Sequence, residues 1–365
     1  MRAGELTAKF GIARILDFVE TEHGLVKVAI SLDGMAGEIY LQGAQLTAWR
    51  PPGERPVLFT SPNSLFAPGR AIRGGIPIIF PWFGPSRHAP AAPQHGFART
   101  APWQLDGVET AGRESVTLTF SLGDGDVRSP FWPEPFRAIY TVVFAQTLSL
   151  RLAVENRATH PIILEEALHT YFAISDISGI AISGLAGTTY IDKTDAARRK
   201  LQTAALITMT AETDSIYLDT PGQCAIEDRG WCRRVIIEKD GAASTVVWNP
   251  WTEKAAAMVD LGDPAWRGMV CLETGNIADN ELRLAADGEH QMSTTISVDA
   301  ASLHFPELSR WSRQFRLDRG RPAGRGNYCR APDFLRRDCA ETGQNPNDSR
   351  RALTGGKGSL QSSMN

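Results

Sequence analysis

Apolar residues recur in this chain at every second position, not at every third or fourth. Val26, Val28, Ile30 and Leu32 alternate with Lys27, Ala29 and Ser31. Val116, Leu118 and Phe120 alternate with Ser115, Thr117 and Thr119, and Leu148, Leu150, Leu152 and Val154 with Ser149, Arg151, Ala153 and Glu155. Successive side chains of an extended strand point to opposite faces, so each stretch has one greasy face and one wet face. That is the mark of a half-buried antiparallel strand. Arg234–Glu238, Thr245–Trp248, Met269–Leu272 and Met292–Val298 read as further strands. Gly123-Asp124-Gly125 reads as a hairpin turn and Pro51-Pro52-Gly53 as a loop. Helical periodicity is scarce, with Asp195–Thr203 a short helix or a long loop. Many strands and few helices predict an all-β chain built as a large β-sandwich.

Composition narrows the class. An apolar fraction of 42% and a charged fraction of 22% over 365 residues describe a soluble globular chain. A net charge of −3 gives no reason to expect nucleic acid as a partner. No stretch approaches the ~18 consecutive apolar residues that would cross a bilayer, so no membrane association is expected. Charged residues interrupt Met1–Glu22, so no signal-peptide core is visible and a cytoplasmic protein is expected. The five cysteines are odd in number and lack C-x-x-C spacing, which points to reduced thiols, not to a disulfide framework or a structural zinc site.

The chain end differs from the rest. Eleven Arg and one Lys against six acidic residues give 301–365 a charge of +6, leaving −9 on 1–300. With many glycines and no period, this segment reads as a disordered Arg/Gly-rich tail behind a single domain spanning 1–300.

Four segments carry residues suited to chemistry. Arg73-Gly74-Gly75-Ile76-Pro77 runs into Phe80-Pro81-Trp82-Phe83-Gly84. The paired glycines permit a tight turn, and Arg73 at its mouth is either an anion ligand or a surface residue at a strand entry. Gln94-His95-Gly96-Phe97-Ala98-Arg99 follows. Arg99 together with Arg73 would make a phosphate clamp, because guanidinium forks match phosphate oxygens; singly, each reads as a salt-bridge partner. In Glu165-Glu166-Ala167-Leu168-His169-Thr170-Tyr171-Phe172, a strand would place Ala167, His169 and Tyr171 on one face and Glu166, Leu168, Thr170 and Phe172 on the other. His169 there is a core histidine or a catalytic one. Glu273, in Val270-Cys271-Leu272-Glu273-Thr274-Gly275-Asn276, stands at the end of an apolar strand before a turn, as a turn anchor or a catalytic carboxylate. No P-loop, no Gly-x-Ser-x-Gly elbow and no H-E-x-x-H pattern is present.

Taken in order, these segments resemble the glucose-6-phosphate 1-epimerase branch of the aldose 1-epimerase family. Trp103, Glu212-Thr213-Asp214-Ser215-Ile216-Tyr217, and Trp248-Asn249-Pro250-Trp251 with Lys254 extend the match, which covers roughly Gly24 to Val298. The resemblance implies a galactose-mutarotase-like β-supersandwich with the site in a groove on one sheet. It implies His169 as general acid and Glu273 as general base. It further implies Arg73, Gln94, His95, Arg99 and Asp214 as substrate-binding residues. No cofactor and no metal are implied. The expected partner is a small sugar phosphate, and the expected state is a monomer. An aldose 1-epimerase for free sugars and a non-catalytic carbohydrate-binding sandwich are the competing readings. The arginine pair argues against the first, since a neutral sugar needs no dianion clamp. The acid and base pair argues against the second.

Overall fold

The computed structural model describes residues 2–300 apart from His88 and Pro221. The expected tail, 301–365, lies outside the described residues. Among the described residues every ladder between strands is antiparallel, the arrangement that one wet and one greasy face favours.

A nine-stranded sheet runs in the spatial order Leu206–Ile207, Ile180–Ser183, Gln223–Asp228, Arg233–Asp240, Glu289–Ala300, Leu148–Asn156, Phe136–Phe144, Ser115–Gly123 and Gln104–Ala111. Three of its strands, Leu148–Asn156, Phe136–Phe144 and Ser115–Gly123, keep strict alternation: Ser115–Gly123 buries Val116, Leu118, Phe120 and Leu122 and leaves the residues between them half-buried. An eight-stranded sheet runs Arg198–Leu201, Thr189–Asp192, Thr213–Tyr217, Ser244–Asn249, Met269–Asn276, Glu166–Leu168 and Ile78–Ile79, with Tyr171–Ala173 also on Met269–Asn276. Its central strands, Ser244–Asn249 and Met269–Asn276, are buried at every position. Both of their faces are therefore covered. A four-stranded meander spans Leu16 to Arg50, and Ile162–Leu164 pairs with Leu282–Leu284. The helices are short: Ala3–Phe10 and Trp251–Ala257. Among the described residues, no helix is long and apolar enough to cross a membrane.

The core lies between the two large sheets. Leu118, Phe120, Leu150 and Leu152 of the nine-stranded sheet belong to one apolar cluster with Leu168, Phe172, Val247, Val270 and Leu272 of the eight-stranded sheet. The opposite face of the eight-stranded sheet carries a second cluster of Ala167, Tyr171, Ile216, Val246, Trp248 and Cys271. The predicted division of 166–172 between two faces is thus observed, although the strand is interrupted at His169 and Thr170.

Three local expectations change. Glu273 is not at a strand end but in the middle of Met269–Asn276, because the strand continues through Gly275, whose lack of a side chain admits the Glu166 carbonyl. Part of Asp195–Thr203 is strand: Arg198–Leu201 closes a hairpin on Thr189–Asp192. The turn at Gly123 exists, with the Asp126 amide donating to the Gly123 carbonyl, but the chain makes a longer excursion before Phe136 resumes the pairing.

Candidate active site

The second face of the eight-stranded sheet opens into a cleft of roughly 540 Å³. That volume lies in the usual range for small-molecule sites. His169, Glu273, Arg73, Gln94, His95, Arg99 and Asp214 all line it. Residues from five separate stretches, 73 to 273, are thereby brought together. A hollow of similar size beside the N-terminal helix holds only Arg14 and Asp17 as ionisable residues and no convergent polar group.

Strand alternation aims the floor. Glu273 shares its face with Cys271, and Asp214 shares its own with Ile216, both in the cleft-side cluster. His169 follows the strand Glu166–Leu168, and its ring stacks on Tyr171 at 4.8 Å with planes 9° apart. Trp248 meets both rings edge-on. This packing leaves the imidazole little freedom. Its Nδ1 lies 3.3 Å from Glu273 Oε1, with the two side chains 10% and 1% exposed. Neither His169 Nδ1 nor Glu273 Oε2 has a hydrogen-bond partner among the described residues.

Burial sets the protonation of this pair. It pushes His169 well below its ordinary 6.5, helped by His95, Arg73 and Arg99. It pushes Glu273 well above its ordinary 4.5, helped by Asp214. Both shifts disfavour charge, as desolvation does. The surroundings of the pair thus favour the neutral form of each group.

Arg73 and Arg99 stand on either side of a wall fixed by glycines. Gly75 has φ +64 and passes so close to the neighbouring strand that a Cβ would run into the Leu46 carbonyl. Gly96 is fitted against Phe80 in the same way. These two close approaches place the arginines. Arg73 donates from Nε to Asp260 at 3.1 Å and from an Nη to the Tyr171 hydroxyl at 3.0 Å. Arg99 donates only to the Gln94 carbonyl, at 2.7 Å, and no carboxylate ion-pairs with it among the described residues. Burial lowers its guanidinium below the ordinary value. A partly buried, uncompensated cation is what an anionic ligand relieves.

His95 takes a left-handed backbone, φ +65. Its Nδ1 accepts the Gly84 amide at 3.3 Å, so the ring proton belongs on Nε2. Burial and the cations Arg99, Lys193 and Arg73 drive it down to about 3, keeping it neutral. It meets His169 edge-on at 5.6 Å. His95 is thus a fixed N–H donor beside the pair.

Sequence reading missed two participants, Lys193 and Asp260, and gave the matched Lys254 no role. Lys193 and Lys254 flank Asp214 at 3.9 and 3.8 Å, and both line the cleft. Burial nevertheless raises Asp214, against the pull of the two lysines. Asp260, the anchor of Arg73, lies 187 residues away in the chain. Lys193 and Asp260 look like ordinary loop charges in the sequence, and nothing marks them. Glu165, by contrast, is outside the cleft. It accepts the amides of Phe83 and Ala278 and the Arg87 guanidinium, holding the Phe83 loop in place.

The aldose 1-epimerase family model matches residues 27–297. A protein of Cenchrus ciliaris, provisionally named glucose-6-phosphate 1-epimerase, is 35% identical over 268 residues, covering 70% of this chain and 80% of its own. An Escherichia coli K12 protein with the same provisional name is 33% identical over 266 residues, covering 73% and 85%. A crystal structure from Salmonella typhimurium, described as a provisional mutarotase, superposes with a TM-score of 0.73 at 29% identity, over 80% of this chain and 96% of that one. The sandwich, the groove on its second face and the matched span agree, and the chain belongs to the aldose 1-epimerase family.

Proposed function

We propose that this protein interconverts the α and β anomers of a hexose 6-phosphate, with glucose 6-phosphate as substrate, by acid and base catalysis between His169 and Glu273. The observation that carries the reading is the juxtaposition of His169 and Glu273 at 3.3 Å in a cleft that two arginines also line. The provisional names of the relatives support the same substrate.

An anomer inverts only if its ring opens. The ring oxygen must gain a proton while the C1 hydroxyl loses one. Both oxygens are bonded to C1, so donor and acceptor must sit side by side, as His169 and Glu273 do. Rotation about C1–C2 turns the other carbonyl face to the hydroxyl, and closure runs the transfers backwards. Each group contributes about 10²–10⁴-fold.

Burial favours the neutral imidazole, but the acid role given to His169 needs an imidazolium. The clamp supplies the bias. Arg73 and Arg99 are among the charges that depress His169. A phosphate dianion seated on them offsets that field, so His169 takes up a proton more readily as substrate arrives. Asp214, between Lys193 and Lys254, and the His95 Nε2–H bind the sugar hydroxyls. Gln94 presents its side chain at the rim.

The test is anomer exchange by NMR with glucose 6-phosphate and with glucose. Faster exchange of the phosphorylated sugar is expected. Equal acceleration of both sugars would favour a free-sugar enzyme, and none with either would sink the catalytic reading.

A further inference from the structure

Beneath the catalytic couple lies a third group that the proposed reaction does not use. Cys271 stands two residues before Glu273 on the same strand face and is fully buried. A nitrogen of His169, the Cys271 sulfur and a Glu273 oxygen all lie within 4.8 Å of one another. Cys271 is a free thiol, and His169 Nδ1 and Glu273 Oε2 have no hydrogen-bond partner among the described residues. All three residues are more than nine-tenths buried. Polar atoms left unpaired at such depth are costly unless something satisfies them.

We propose that His169, Cys271 and Glu273 form a binding site for a soft divalent cation of the zinc or cadmium class, which excludes the sugar while bound. Imidazole, thiolate and carboxylate are the ligand types zinc takes, at about 2.0–2.3 Å from the metal. A triad already this close needs only small side-chain shifts to reach one ion. The sulfur selects against magnesium and calcium, which prefer oxygen. His169 and Glu273 both line the cleft, so an ion held by them would occupy the ground the sugar needs. Inhibition by the ion rests on the catalytic roles proposed above; binding does not.

Protons balance the step. The thiol proton and the Glu273 carboxyl proton leave to solvent, and His169 gives its neutral lone pair. Burial holds Cys271 well above its ordinary 9.0, with Glu273 adding to the shift. Arg73, Arg99 and Lys193 face the triad and oppose a cation, Asp214 favours it, and His95 is neutral.

The experiment titrates the chelator-treated full chain with Cd²⁺ alone and follows the ultraviolet thiolate-to-cadmium charge-transfer band. A band component present in the wild type and missing from Cys271→Ala is expected. His169→Asn should weaken Cd²⁺ binding by more than the roughly 10–100-fold that loss of an outer-shell partner costs, since it removes a ligand of the same ion. Zn²⁺ should slow glucose 6-phosphate anomer exchange in the wild type, reversibly on chelation, and far less in Cys271→Ala. An identical band in wild type and Cys271→Ala overturns the proposal, as does an unchanged Cd²⁺ affinity in His169→Asn, a variant that keeps Cys271. The band needs no turnover. A Cys271-dependent band without any anomer exchange would remove the proposed function and leave the metal site standing.

Discussion

Val270 and Leu272 point from one strand into the dry space between the two large sheets, while Cys271 and Glu273, one residue along from each, lie on the opposite face, where Glu273 lines the cleft. Both faces are buried, yet burial has opposite uses on them. On the sandwich side it removes apolar surface from water and supplies stability, about 25 cal/mol per Å². On the cleft side it strips water from groups that can carry charge, which costs stability and drives His169 and Glu273 toward neutrality. The difference teaches that one sheet both holds the fold and stores the chemical potential of the site, divided only by residue parity.

The cleft face should fail in chemistry first. His169→Asn and Glu273→Gln should each cut anomer exchange by about 10²–10⁴-fold while leaving the melting temperature at or above that of the wild type. The double variant should be little worse than either single, because the two act in one step. Wild-type rates in both single variants would erase the contrast between the faces.

The sandwich face should fail in stability. Leu272→Ala should cost about 2–5 kcal/mol in chemical unfolding, since it opens a void in a packed core. The rate per folded molecule should hold. A large loss of rate at full stability would mean that the two faces are not separable.

The clamp sharpens the comparison by substrate. Arg99→Ala should weaken glucose 6-phosphate use by about 1.5–3 kcal/mol, the worth of hydrogen bonds to a charged group, and free glucose use much less. Arg73→Ala should be worse, because it leaves the Asp260 carboxylate unpaired at the clamp, and Arg73→Ala with Asp260→Asn should recover part of the loss. Equal losses on both sugars would make the arginines scaffold. Added inorganic phosphite should speed exchange of free glucose in the wild type but not in Arg99→Ala. No stimulation would break the link between clamp and proton.

The smallest effect concerns a carboxyl on the sandwich side. Burial raises Glu166 to about 8, while the Asn276 side chain, donating at 3.0 Å, pulls it down. The unfolded chain loses this proton near pH 4.5 and the native state keeps it to about 8, so Glu166 lowers stability increasingly as pH rises between those values. Glu166→Gln should therefore gain a few degrees of melting temperature over wild type between pH 5 and 8. A gain independent of pH would contradict the raised value.

The strands and both faces of 166–172 were legible because alternation is a local property. The ordered segments around Arg73, His95, His169 and Glu273 were legible as a resemblance, and the cleft gathers them. What stayed hidden was set by distant contacts. Asp260 is defined by Arg73, and Lys193 by Asp214, through pairs that no local pattern encodes. Glu273 looked terminal because Thr274-Gly275-Asn276 resembles a turn. In the sheet, Gly275 faces Ala167 in register, with the Glu166 backbone filling the space a side chain would take, and Asn276 pairs with Glu166.

The unbroken pairing of Met269–Asn276 limits how genes for this protein can change. Loops absorb inserted or deleted residues easily. Within this strand a deletion of one codon would trade Glu273 for its neighbour, sending the carboxyl into the sandwich and Thr274 to the cleft. Related chains should therefore vary in length at places such as 124–135 and keep the spacing within Met269–Asn276 far more uniform.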